Sequence, residues 1–253
     1  MKNLPIIIVI VLLLGCSSSG NQSSEMEATA DEAEVTQAEV SETEAVCVWD
    51  KVSVRDSPTS KGKWLTSISI GETLTFLGQE AVDTLEKNRK YYKVRLADGT
   101  EGWSRNDFII PEGKVGVFLE EKNMYKRPDL LTKTDNKFSQ MDIVAIRSTQ
   151  DDWYEITGKR EEGNWIETGW VKGAGISQDA IDVAVAKFGR LALAEEDESA
   201  QIEGLEEILN NSDFASSTFI PVIQEIYASL TTAETPVVEE IIVDADTAEV
   251  TQD

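Results

Sequence analysis

The residue types that do chemistry are scarce in this 253-residue chain, and the scarcity is selective. Histidine is absent altogether. That removes imidazole as a general base, as the partner of a serine or cysteine nucleophile, and as a zinc ligand. Carboxylates are plentiful, but groups such as Asp151-Asp152, Glu161-Glu162 and Glu195-Glu196-Asp197 are adjacent in sequence, which reads as solvated loop decoration. Glycoside hydrolysis needs two carboxylates facing each other across a cleft. No glycine-rich phosphate loop and no D-x-D-x-D-G calcium loop occurs. The expectation is a chain with no metal, no cofactor and no enzymatic activity.

Two cysteines remain, and their settings differ. The chain begins MKNLPIIIVIVLLLGC, with Lys2 ahead of an apolar run from Leu4 to Leu14. The run is too short to span ~30 Å of hydrocarbon as a mature helix and has the proportions of a cleaved leader. Its end, Leu13-Leu14-Gly15-Cys16, resembles the lipobox of bacterial lipoproteins, which implies a signal peptide over residues 1–15 and a lipid on Cys16. More than one acyl chain makes such anchoring stable, since a single chain binds membranes only marginally. If Cys16 is acylated, Cys47 has no partner for a disulfide within the chain. Beside Val46, Val48 and Trp49 it reads as a small buried hydrophobe or, alternatively, as one half of an intermolecular disulfide.

Residues 16–46 carry eight acidic side chains, no basic one and no aromatic one. Such a segment buries too little apolar surface to offset its ordering entropy and is predicted to be a disordered tether. Residues 231–253 are similar, with seven acids and no base, and are expected to form a disordered tail. Together they account for much of the formal charge of −24. The remainder is still acidic, which makes nucleic acid an unsuitable partner and leaves attachment to a membrane to the lipid alone.

Between these segments the chain repeats itself at an offset near 70. Val52 to Pro58 (VSVRDSP) returns as Asn123 to Pro128 (NMYKRP), and Ile70 to Phe76 as Gln140 to Ile146. Tyr91 to Leu96 returns as Trp153 to Thr157, and Asp98-Gly99-Thr100-Glu101-Gly102-Trp103 as the stretch ending Gly169-Trp170. Period-2 alternation puts Tyr92, Val94 and Leu96 on one strand face. Asp98-Gly99 is a two-residue hairpin signal. Several short strands with turn signals, written twice, predict two small β-barrels.

The same blocks resemble the bacterial SH3-like domain, with its V-R-x-x-P, G-E/D, W-Y-x-V and G-x-x-G-W-V pattern. Val54-Arg55-Asp56-Ser57-Pro58, Gly71-Glu72, Tyr91-Tyr92-Lys93-Val94 and Gly99-Thr100-Glu101-Gly102-Trp103 carry it in the first copy. The second copy is divergent: it lacks the V-R start and has Met141 in place of the glycine, but keeps Trp153-Tyr154-Glu155-Ile156 and Thr168-Gly169-Trp170-Val171. The resemblance implies a mainly β protein of two tandem small SH3-like β-barrels, residues 47–111 and 114–176. It also implies recognition of cell-wall peptides or other protein segments. Endopeptidases that carry such modules use Cys and His together, which this chain does not have. The Gly-Trp pairs are expected to be structural, Gly permitting close approach and Trp laying an apolar plate across the barrel end.

Residues 177–230 turn helical. Ser177 is the expected N-cap of a helix with Ile181, Val185, Phe188 and Ala192 on one face. Ile202, Leu205, Ile208 and Leu209 mark a second amphipathic helix, and Phe219, Ile223, Ile226, Tyr227 and Leu230 a third. They close on themselves or on the second barrel, or present a groove to a partner helix. The functional expectation is a lipid-anchored protein of the bacterial envelope, facing the periplasm from either membrane or standing on the cell surface, whose SH3-like modules bind a peptide or protein, peptidoglycan included, without catalysis. The alternative is a scaffold or assembly lipoprotein acting through its helices. The candidate ligand contacts are Tyr91 and Trp153, opposite Tyr92 and Tyr154 on their strands, and Trp165. Acidic charge on the folded region predicts that binding gains nothing from long-range attraction and depends weakly on salt.

Overall fold

A computed structural model of the chain describes residues 41–173 and 175–233. The expected leader, Cys16, most of the tether and the tail from residue 234 lie outside the described residues. What is described is mainly β: two seven-stranded antiparallel sheets followed by three helices.

The first sheet contains β1 (Thr43–Cys47), β2 (Val52–Arg55), β3 (Trp64–Ile68), β4 (Thr73–Asp83), β5 (Arg89–Arg95), β6 (Glu101–Arg105) and β7 (Ile109–Pro111). The second contains β8 (Lys114–Phe118), β9 (Lys122–Tyr125), β10 (Lys133–Phe138), β11 (Ile143–Gln150), β12 (Trp153–Lys159), β13 (Ile166–Lys172) and β14 (Ile176–Ser177). Their orders are β3-β2-β6-β5-β4-β1-β7 and β10-β9-β13-β12-β11-β8-β14, the same path drawn twice.

The duplication reaches individual hydrogen bonds. Gly71 N–H donates to the Cys47 carbonyl at 2.8 Å, and Met141 N–H donates to the Phe118 carbonyl at 2.8 Å. Cys47 N–H donates back to Glu72 O, and Phe118 N–H to Asp142 O, at 3.0 and 3.1 Å. The carboxylates of Glu72 and Asp142 accept from Ser69 N–H and Ser139 N–H. Gly71 has φ 78° and Met141 φ 68°, so the turn keeps its left-handed residue although methionine replaced the glycine. The Asp98-Gly99 hairpin differs from expectation. Leu96 N–H donates to Thr100 O at 2.9 Å, closing a three-residue loop in which Gly99 takes φ 84°.

The first core gathers Val54, Ile68, Val94 and Ile109. The second gathers Phe118 and Phe138, stacked at 5.0 Å between centroids, with Val144, Ile156 and Val171. Val46 and Ile110 of the first sheet, with Val48 just after β1, meet Ala145 of the second. The expectation of a disordered tether through residue 46 is corrected at its described end: Ala45 and Val46 are buried in β1 between β4 and β7.

The helices are α1 (Ala180–Leu193), α2 (Glu198–Asn210) and α3 (Ile220–Ala233), the last running past the expected end at 230. Asp179, not Ser177, caps α1, accepting from Ile181 N–H at 2.7 Å. Ser177 belongs to β14 and donates instead to Asp182 at 2.6 Å. Pro221 sits in the first turn of α3, where a missing N–H leaves no helical bond unmade. Val185, Ala186, Leu205, Ile208, Phe219 and Ile223 share one core with Val117, Met141 and Ile143, so the helices pack on the second sheet. Among the described residues, no helix is long and apolar enough to cross a membrane.

Candidate functional site

The three aromatics expected to contact ligand have different fates. Tyr91 is only 3% exposed, and Trp153 only 9%, so neither is the open platform that strand alternation implied. Alternation decides which side of a strand a residue takes, not whether that side is covered. Trp153 is packed edge-on against Tyr125 at 5.0 Å, with Lys172 Nζ 5.7 Å from its ring centroid. Trp165 is 78% exposed. The three do not come together, because Trp153 and Trp165 line neither of the cavities described next.

Tyr91 instead lines a cleft of about 270 Å³ on the first sheet. The order β2-β6-β5 sets Arg55, Arg105, Arg89 and Tyr91 along one stretch of it, and Trp49 and Phe108 complete the aromatic wall. Trp49 stacks on Phe108 at 5.6 Å, and the Arg105 guanidinium lies 4.6 Å from the Phe108 centroid. Arg55 Nη1 donates to Gly62 O at 2.7 Å, Arg89 pairs with Glu86 at 3.1 Å, and Arg105 pairs with Asp107. Arg105 Nε is buried without a hydrogen-bond partner. Lys51 and Asp50 also line the cleft, and Lys51 has no ion-pair partner among the described residues.

A second cavity of about 300 Å³ lies at the junction of the two sheets and α1. Val48, Ile70 and Ile143 give it an apolar floor, and Lys159, Lys187 and Arg190 line it. Trp49 and Asp50 line both cavities. Lys159 Nζ stands 5.2 Å from the Trp49 ring centroid, and neither Lys159 nor Lys187 has an ion-pair partner among the described residues. Arg190 is paired with Asp142, whose side chain is fully buried. Burial pushes the Asp142 carboxyl up from its ordinary 3.8, against the pull of the Arg190 charge.

Cys47 is buried directly before this segment. Its thiol donates to the Trp49 carbonyl at 3.1 Å, and burial pushes its pKa up to about 12. It is thus a packed hydrophobe that helps hold Trp49 in place. Among the described residues no group of three His, Cys, Asp or Glu side chains is arranged to hold a metal ion.

The Gly-Trp pairs divide their expected role unequally. A Cβ on Gly102 would lie 2.5 Å from Val54 Cγ1 and 2.7 Å from the Arg55 carbonyl; one on Gly169 would overlap Met124 and lie 3.2 Å from the Tyr125 carbonyl. Trp103 and Trp170 pair with Arg55 and Tyr125 at equivalent registers. Both tryptophans are half-buried rather than sealed plates.

A third concavity, about 470 Å³, runs between α1 and α2. Phe188 and Leu191 stand in it 43% and 42% exposed, and Glu195, Glu203 and Glu207 line it.

Sequence reasoning missed Trp49, Arg89, Arg105 and Phe108 as site residues. Arg55 stood in the quoted V-R-x-x-P block, and Arg105 follows Trp103 by two, on the same strand face. Only Arg105 and Phe108 are local to one another; the convergence of the rest depends on strand pairing.

No protein-family model matches the chain, and no curated protein matches it. Among solved structures it is similar to NlpC2 from Trichomonas vaginalis, at 14% identity over 67% of this chain and 57% of that one, with a TM-score of 0.23. NlpC1 from Trichomonas vaginalis is similar at 13% identity over 63% and 55%, with a TM-score of 0.24. A novel NlpC/P60 endopeptidase from Photobacterium damselae subsp. piscicida is similar at 13% over 58% and 37%, with a TM-score of 0.24. The chain thus spans little more than half the length of the first two and about a third of the last. The expectation of a protein without enzymatic activity is withdrawn beside these neighbours, one of which is an endopeptidase. A missing histidine excludes imidazole chemistry and nothing wider. At these TM-scores the likeness itself assigns no activity to this chain.

Proposed function

We propose that this chain is a lipid-anchored protein of the bacterial envelope whose two tandem SH3-like modules, each one seven-stranded sheet, bind a peptide or protein ligand there, with peptidoglycan the leading candidate. The observation that carries the binding role is the cleft where Trp49, Tyr91 and Phe108 meet Arg55, Arg89 and Arg105. Aromatic faces and forked guanidinium donors in one concavity are what peptide recognition uses. The V-R-x-x-P and G-E blocks of the first copy, and the G-W block kept in both, support the module assignment. The anchor rests on Leu13-Leu14-Gly15-Cys16, and Cys16→Ser is expected to leave an unprocessed, unacylated precursor; normal processing and membrane retention of that variant would remove the anchor from this reading. The binding role is tested by sedimenting the full chain with purified sacculi. Retention in the pellet supports it, and a chain left wholly in the supernatant overturns it.

The groove between α1 and α2 favours a second reading, a scaffold that seats a basic amphipathic segment of a partner. Its exposed Phe188 and Leu191 have Glu195, Glu203 and Glu207 beside them, three carboxylates against the single nearby cation Lys187, 5.6 Å from the Phe188 centroid. Because α1 and α3 share their core with the second sheet, this role belongs to the intact chain and not to a detachable helical fragment.

A further inference from the structure

We infer that the first-sheet cleft and the junction cavity are the two halves of one site for an extended peptide carrying at least two carboxylates, with Trp49 as the platform between them. The inference rests on the envelope-ligand reading above and specifies the chemistry of the ligand.

Charge is distributed unevenly over this surface. The whole chain has 23 basic and 47 acidic side chains. The cleft is lined by Lys51, Arg55, Arg89 and Arg105, and the junction cavity by Lys159, Lys187 and Arg190. Against these seven cations the lining carries one carboxylate, Asp50, which borders both cavities. Glu86, Asp107 and Asp142 pair with three of the seven from outside the lining, which leaves four cations against Asp50. In concave, partly apolar surroundings these act on a nearby anion more strongly than the acids farther off repel it, because that repulsion is screened beyond ~10 Å. Net charge therefore does not forecast the salt response of this site, and the weak dependence expected from composition is replaced by a strong one.

Four of the seven, Lys51, Arg55, Lys159 and Lys187, have no ion-pair partner among the described residues, Arg55 donating instead to the Gly62 carbonyl. Arg89 and Arg105 are held by Glu86 and Asp107 at the cleft, which orients the guanidinium groups without filling all their donors. Arg105 Nε is left with no acceptor at all.

Continuity comes from residues common to both cavities. Trp49 lines each, stacks on Phe108 on the cleft side and carries Lys159 on the junction side. A ligand with anions at both ends and planar amides between them matches this sequence of cations, indole and cations. A polyol-phosphate chain has no flat group to lay on the indole, so a peptide is the better match.

The test uses the full chain and three preparations of sacculi: native, stripped of phosphate polymers by hydrofluoric acid, and stripped and then amidated at its carboxylates with carbodiimide and ammonia. Binding is expected to survive stripping, to disappear on amidation and to weaken as salt is raised. Lys159→Gln with Lys187→Gln, and separately Lys51→Gln with Arg89→Gln, should each weaken binding on the order of tenfold, the scale of lost charge-assisted contacts. Thermal melts of both double variants should match the parent, and exposed Lys61→Gln should bind as the parent does. Equal binding to amidated sacculi, or loss of binding on stripping, overturns the carboxylate assignment while leaving an envelope-binding protein. Weakening by the cleft pair alone overturns the continuous site. Failure to bind any preparation overturns the envelope-ligand reading and this inference with it.

Discussion

Arg190 on α1 pairs with Asp142, a carboxylate that is fully buried at the turn leading into β11. The second oxygen of Asp142 accepts from Ser139 N–H at 2.8 Å, the bond that Glu72 makes in the first sheet. One copy of the repeated turn has thus been joined to the helical region by a charge.

Removing that charge should be expensive. Arg190→Gln is expected to destabilise the chain by about 3 kcal/mol, the scale for stranding a buried ion. The pH dependence follows from the raised Asp142 carboxyl. As pH rises above 3.8 the unfolded chain ionises first while folded Asp142 keeps its proton, so this group's contribution falls until the folded pKa is passed. Arg190→Gln removes the charge that opposes the rise, so the decline should extend to higher pH in the variant. Urea unfolding of both proteins between pH 4 and 8 would show it; parallel curves would refute the coupling.

Asp182 makes the opposite case. Burial works to raise its pKa, but hydrogen bonds from Ser177, Ser217 and Thr218 together outweigh it and hold the carboxyl below 3.8. Its stabilising contribution is complete above 3.8 and is lost as pH falls through the folded value. Asp182→Ala leaves Ser217 buried without this acceptor and is expected to cost about 2 to 3 kcal/mol. Circular dichroism during acid titration should show the helices loosening at higher pH in the variant than in the parent.

The glycines of the Gly-Trp pairs should be unequal. On Gly102 a methyl meets the Arg55 carbonyl, which is backbone, whereas on Gly169 it meets chiefly the flexible Met124 side chain. Gly102→Ala is therefore expected to cost about 3 kcal/mol and Gly169→Ala about 1. Trp103→Ala, at a half-buried site, should cost about 2 kcal/mol rather than the ~3 to 5 of a sealed aromatic. Thermal melts of the three variants give the order, and a Gly169→Ala variant weaker than Gly102→Ala would contradict the packing argument.

Cys47 should be chemically silent in the folded chain. With its thiol buried and its pKa near 12, alkylation by iodoacetamide at pH 8 is expected only after unfolding in denaturant. Peptide mass mapping distinguishes it from Cys16, and rapid labelling of Cys47 without denaturant would place it at the surface.

Sequence alone determined the elements whose causes are local. Turn chemistry marked Gly71 and its counterpart Met141, and both keep the left-handed backbone the turn demands. Strand alternation and block spacing announced the duplication that the two identical strand orders display. Apolar periodicity located the three helices to within a few residues, though the cap moved from Ser177 to Asp179 because Ser177 is taken by β14 and Asp182. Tertiary structure alone decided the site. Arg105 and Phe108 lie three residues apart, but Trp49 reaches Phe108 only through the pairing of β1 with β7, and Arg89 and Arg55 reach Arg105 only through the order β2-β6-β5. Lys159 joins them because the second sheet meets the first, and Lys187 because α1 packs across the second sheet. A periodic pattern tells a residue which side of its own element to face; it holds no record of which distant element will cover that side. That is why Tyr91 was assigned to the correct side of β5 and to the wrong environment, and why a cation-lined cavity can exist in a chain whose composition argues against one.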